Sequence, residues 1–245
     1  MTTLLILAVL IFAAAVLYSS VGHAGASGYL AAMAFMNVAP ATMRPTALVL
    51  NLIVATLATI RFGRAGLYSH GLLWPFAIAS VPMAFVGGAV QLPGHWYKTL
   101  VGLVLLVAAV RLLIELRPMD SRQVHRPPLV PAILSGAVIG LLSGLTGTGG
   151  GIFLSPLLLF TGWAETRETG GVSAAFILVN SAAGLAGNLT IVQALPSEIV
   201  WWVPAAFVGG LLGSELGARR IATRTFRQLL AAVLVVAGLK LIFAP

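Results

Sequence analysis

The sequence predicts an all-α polytopic membrane protein of about ten helical segments, folded as two inverted-topology repeats. Three observations predict it. The 245-residue chain is 59% hydrophobic and 8% charged, whereas a soluble domain carries about 25% charged residues on its surface. Its apolar runs are long enough to cross a bilayer. Its two halves repeat each other in order. Lipid is therefore the expected surrounding, and no polar run is long enough to build a large water-exposed domain.

The apolar runs fall at 3–20, 26–37, 45–61, 71–92, 97–115, 129–145, 150–162, 171–192, 197–215 and 223–244. A full span needs about 20 residues. Eight runs approach that length, while 26–37 and 150–162 fall short and each follows a glycine-rich break. The first run resembles a signal-peptide core, but it lacks a basic start and is long, so a first membrane segment is expected. Backbone in lipid satisfies its own hydrogen bonds, so every run is read as a helix.

Four collinear matches carry the repeat. "PMAFVGG" (Pro82–Gly88) returns as "PAAFVGG" (Pro204–Gly210), and Tyr97–Ile114 returns as Phe226–Phe243. "TALVLN" and "AAFILVN" end at Asn51 and Asn180, and "SSVGHAGASGYL" (Ser19–Leu30) faces "LSGLTGTGGGIF" (Leu142–Phe153). The expected organisation is a first repeat at 1–116, a charged linker at 117–128 and a second repeat at 129–245.

Five segments per repeat invert the second half relative to the first. With the linker in the cytoplasm, eleven of the fourteen basic residues are cytoplasmic, and Arg44, Lys98 and Lys240 lie outside. That bias sets the orientation. The net charge of +8 thus reads as loop charge rather than a nucleic-acid surface. The chain has no cysteine, which excludes disulfides and thiolate metal sites, and no metal or cofactor is expected.

The two breaks are the expected site. A chain that turns back at mid-membrane needs protein or a water-filled cavity around its irregular backbone. Inverted repeats with broken helices at the midplane are the pattern of secondary transporters. The short helices should start near Ser27 and near Gly149, and helix N-termini attract anions through free N–H groups. Candidate ligand-binding residues are Ser20, His23, Gly25, Ser27, Gly28, Asn51, Thr146, Thr148, Gly149, Gly150, Gly151 and Asn180. A soluble phosphate loop is excluded, because no lysine follows Gly151. Gly87, Gly88, Gly184, Gly187, Gly209 and Gly210 read instead as helix-packing positions.

None of the six acidic residues lies mid-span. This argues against a carboxylate pathway for cations and for an uncharged, donor-rich anion site. Asn51 and Asn180 are matched buried amides, read equally as caps on break carbonyls or as ligand contacts. Ser173, Ser181 and Asn188 are expected on one helix face, with the side-chain polar groups bonding back into their own helix. His23 is the proton-coupling candidate, with a structural role the alternative. Arg111 and Lys240 are expected to snorkel to the interface, and Trp74, Trp96, Tyr97, Trp163, Trp201 and Trp202 to form an interfacial belt.

The run "GLLSGLTGTGGGIFLSPLLL" resembles the signature of the TauE/SafE family of sulfite exporters. Gly140, Gly144, Gly147, Gly149, Gly150, Gly151 and Pro156 carry the resemblance, which extends to the length and the internal duplication. It implies transport of sulfur oxyanions or organosulfonates across the bacterial cytoplasmic membrane. The first-half motif departs from the family pattern: Ala26 and Ser27 stand where glycines are common, and His23 is unusual.

The expectation is a multi-pass inner-membrane transporter for a small sulfur anion such as sulfite, thiosulfate or a sulfoacetate-like sulfonate, exporting by alternating access. The alternative is a passive anion channel. An intramembrane enzyme would need a catalytic pair that the chain does not offer. Self-association is left open.

Overall fold

The computed structural model describes residues 2–114, 124–189, 195–219 and 224–243. It contains ten helices: α1 (Thr2–Ser19), α2 (Ala26–Phe35), α3 (Pro40–Arg64), α4 (His70–Ala89), α5 (Gly94–Ile114), α6 (Leu129–Thr146), α7 (Gly151–Thr161), α8 (Thr166–Asn188), α9 (Ile199–Arg219) and α10 (Arg224–Phe243). No strand occurs among the described residues. Each helix matches one apolar run. Glu115, Asp120, Arg117, Arg122, Arg220 and parts of the linker and of the 190–198 loop lie outside the described residues.

Two helix starts lie furthest ahead of the apolar runs. α3 and α8 each begin five residues earlier, at Pro40 and Thr166. Proline fits the first turn, where its missing N–H has no intrahelical acceptor to lose. The helix can also run through polar flanks, because its own hydrogen bonds satisfy the backbone.

Five helices (α3, α4, α6, α8 and the Ile199–Leu216 part of α9) are long and apolar enough to cross a membrane. α2 and α7, with 10 and 11 residues, reach only about 15 Å. The two short helices and the long α3 and α8 fill the centre. From Ala26 to Ala34 every residue of α2 is buried. Around them stand α1, α4, α5, α6, α9 and α10, which turn Val9, Trp74, Val107, Val138, Val200 and Val236 outward. Such an apolar exterior suits hydrocarbon.

Helix pairs follow the exchange of first-half for second-half elements. α3 packs on α8 and α5 on α10, each against its own counterpart; α1 packs on α9 as α6 does on α4. Small residues bring these backbones together. Gly136, Gly140 and Gly144 of α6 meet the backbone of Phe76, Ser80 and Ala84 on α4, one turn apart each time. A side chain at any of them would run into a carbonyl, which is the close-approach geometry of small-xxx-small packing. Gly87, Gly88, Gly187 and Gly209 make the same kind of contact.

Candidate functional site

Both glycine breaks are real interruptions of the helices. α1 ends at Ser19 and α2 starts at Ala26, with Gly25 at φ 102° as its N-cap. α6 ends at Thr146 and α7 starts at Gly151. Between them Gly149 and Gly150 stand at φ 74° and 81°. An L-residue there would cost about 1–2 kcal/mol each, and consecutive residues of this kind fold N–H groups into an anion-binding concavity.

The long α8 gauges where the breaks lie. Its Gly170 touches the backbone of Gly22 in the first break. Its Phe176 and Ile177 touch Gly150 and Gly149 in the second. Seven residues separate these levels, about 10 Å at 1.5 Å each. Ile177 is the middle residue of α8, and Asn51, which reaches the Gly147 carbonyl at 3.4 Å, is next to the middle of α3. The second break therefore sits at the centre of both long spans, and the first lies about two turns along α8.

Three carbonyls at the second break, those of Leu145, Thr146 and Gly147, have side-chain donors. Tyr97 Oη donates to the Thr146 carbonyl at 3.2 Å, and Asn51 Nδ2 donates to that of Gly147 and to Ser181 Oγ at 3.3 Å. Arg44 is buried at the level just before the break. Its Nη1 lies 2.8 Å from the Val90 carbonyl, with those of Gly87 and Leu145 at 3.4 and 3.5 Å. With the Asn188 amide turned so that Oδ1 faces Arg44, that oxygen accepts from Nε at 2.9 Å. One guanidinium thus caps the C-terminal ends of α4, α6 and α8, where helix dipoles place negative charge.

The N–H side is the reverse. The amides of Gly149, Gly150, Gly151 and Ile152 donate to nothing among the described residues, and neither do those of Gly25, Ala26, Ser27 and Gly28. Open amides are normal at a helix start in water. Here all eight residues are buried, and buried donors without acceptors cost stability. The Oγ of Ser143, also without a partner and fully buried, lies beside Gly150. An acceptor-rich ligand would satisfy this set; a cation would not. No group of metal-ligating side chains occurs among the described residues.

His23 joins the two breaks. Its Nδ1 lies 3.1 Å from the Val21 carbonyl, and its Nε2 lies 2.7 Å from Arg111 Nη1 and 3.2 Å from the Gly151 carbonyl. In the tautomer with the proton on Nδ1, Nε2 accepts from Arg111. Ser155 Oγ of α7 stands 2.9 Å from Nε2, 3.0 Å from the Gly151 carbonyl and 2.7 Å from Ser173 Oγ. Its single proton serves one of these at a time.

The candidates divide by location. Asn51, Thr146, Thr148, Gly149, Gly150 and Gly151 gather around the second break, with Thr146 and Thr148 hydroxyls 2.9 Å apart. His23 reaches in from the first break. Gly25 and Ser27 form the buried start of α2. Ser20, just past the end of α1, donates back to the Leu17 carbonyl at 2.7 Å. Gly28 packs on Ala14 and Tyr18. Asn180 turns to Phe176 of its own helix at 2.8 Å and leaves Oδ1 unpaired. The two matched asparagines thus do different things.

Several expectations change. Arg111 does not snorkel; it is buried and points at His23. Lys240 reaches the Phe35 carbonyl at the end of α2 at 3.0 Å. Ser173 and Ser181 bond across to other elements rather than into α8. Tyr97 and Trp202 are buried, while Trp74, Trp96 and Trp201 are exposed as a belt requires. Sequence reasoning missed Arg44, Arg111 and Ser155 as site neighbours. A signal was available for Arg111, which sits inside the apolar run 97–115, and Arg44 directly precedes the run 45–61.

Comparison with known proteins agrees over nearly the whole chain. The family model described as Sulfite exporter TauE/SafE matches residues 7–241. The probable membrane transporter protein y4hK of Sinorhizobium fredii is 40% identical over 240 residues, covering 97% of both chains. The probable membrane transporter protein MJ0441 of Methanocaldococcus jannaschii is 28% identical over 155 residues, 58% of this chain and 55% of its own. No solved structure matches at a significant level.

Proposed function

Because the chain belongs to the sulfite exporter TauE/SafE family of membrane transporters, we propose that it moves a small sulfur oxyanion or organosulfonate, such as sulfite, thiosulfate or a sulfoacetate-like sulfonate, out across the bacterial cytoplasmic membrane. One observation carries the reading. At the second break, carbonyls are capped by Arg44, Tyr97 and Asn51 while four buried amides stay open. An oxyanion supplies several acceptors and one or two negative charges, which is what buried amides and a helix N-terminus lack. The proposed binding set is Gly149 to Ile152 with Thr148 and Ser143, faced by the start of α2.

The halves 1–116 and 129–245 would rock about this site, with their cytoplasmic linker between them. His23 is proposed as the proton-coupling residue. A proton added at Nε2 would displace the Arg111 hydrogen bond and set two cations together. An anion nearby makes that arrangement favourable, so proton and anion would move together.

The test is counterflow in proteoliposomes containing the purified protein. Saturable exchange of sulfite, thiosulfate or sulfoacetate is the expected result. If none exchanges, the substrate reading is wrong; if the protein instead gives single-channel currents, the channel alternative replaces alternating access.

A further inference from the structure

A second polar feature lies away from the breaks. A cavity of about 310 Å³ opens between the end of α2, the start of α3 and the helices α5 and α10, with Asn37, Met43, Lys98 and Lys240 in its wall. An adjoining cavity of about 500 Å³ shares Lys98 and adds His95 and Thr99. Neither wall contains an acidic residue. Lys240 spends one of its three protons on the Phe35 carbonyl, leaving two for a ligand. Lys98 makes no hydrogen bond or ion pair among the described residues. Two ammonium groups from different helices therefore face one space without counter-charge among the described residues.

The cavity is joined to the second break through single residues. Met43 in its wall precedes Arg44, which reaches Leu145. Lys98 follows Tyr97, which reaches Thr146. Met43, Arg44 and Tyr97 are all buried and stand between cavity and break. Lys240 also holds the C-terminal end of α2, whose N-terminal end is the first break.

We propose that this cavity is an outer-side site for an oxyanion, a sulfonate- or sulfate-like group held by Lys98 and Lys240 once it has passed the Met43–Arg44–Tyr97 layer. This rests on the transport reading above. A lipid headgroup could offer the same anionic chemistry, and the test separates the two.

The full-length protein is melted in a neutral detergent with sulfate and with thiosulfate, as wild type, Lys98→Gln and Lys98→Arg. Thiosulfate counterflow is then measured in vesicles of phosphatidylcholine alone and in vesicles with added phosphatidylglycerol. The expected results are weaker anion stabilisation of Lys98→Gln, its recovery in Lys98→Arg, and a KM raised about fivefold in both vesicle types, with the loss falling on KM rather than kcat. Lys98 has no contact to lose, so the variant should fold. Equal anion stabilisation of wild type and Lys98→Gln overturns the proposal. So does a Lys98 effect seen only with phosphatidylglycerol, which would give the cavity to lipid. If the anions stabilise wild type through Lys98 but are not transported, the transport reading fails and the binding site stands.

Discussion

Replacing Gly149 with alanine tests the second break directly. The backbone there has φ 74°, which costs an L-residue about 1–2 kcal/mol. The added Cβ would stand 2.6 Å from Ile177 Cγ2, 2.9 Å from Ser181 Oγ and 3.0 Å from Asn51 Nδ2. Ile177 is β-branched on a packed helix and yields little, so overpacking adds about 1–3 kcal/mol. The sum is about 2–5 kcal/mol. Gly63→Ala is the control: it lies in α3 with nothing within 4 Å of the new Cβ, and alanine there gains up to about 1 kcal/mol in helix propensity. Thermal melting in detergent reads both. Gly149→Ala should melt several degrees below wild type and Gly63→Ala at or above it. If Gly149→Ala melts with wild type, the left-handed break beside Ile177 and Asn51 is wrong.

Other consequences follow from the same geometry. Arg44→Gln leaves buried carbonyls at the ends of α4 and α6 without their shared donor and should lose about 1–3 kcal/mol in a melt. Arg44→Lys should restore little, because a point charge cannot span Val90 and Asn188 together. Gly140→Ala drives a methyl into the Ser80 carbonyl, so about 1–3 kcal/mol of stability should be lost with no change in anion preference. His23→Gln should flatten the pH dependence of counterflow between about pH 5 and 8; a profile that keeps its shape would remove His23 from proton coupling.

The order of helices was legible because each apolar run ends in residues a lipid-buried helix cannot use. The breaks were legible because Gly147, Gly149 and Gly150 are spaced too closely for an unbroken span. Long side chains hid the rest. Arg111 lies near a helix end in sequence, so outward snorkelling looked natural, and Arg44 was read only as an outside charge, yet both turn inward, to His23 and to carbonyls. Reach and rotamer decide that, and neither is encoded in spacing. The matched asparagines show the other limit. Asn51 bridges to the Gly147 carbonyl while Asn180 bonds to Phe176 of its own helix. A repeat predicts equivalent positions, whereas packing decides their partners. Ser155 was invisible because its proximity to His23 exists only once α7 has folded back beside the first break.

The central claim is that the buried starts of α2 and α7 hold one anion between them. The chain contains no native cysteine, so single cysteines at Ser27 and Thr148 report each start separately. Their rates of reaction with a maleimide are measured in membranes with and without sulfate or sulfoacetate. The account predicts that one and the same anion slows both cysteines, at the same half-saturating concentration, while chloride at equal ionic strength does not. Protection at only one position, or at neither, would contradict a shared site.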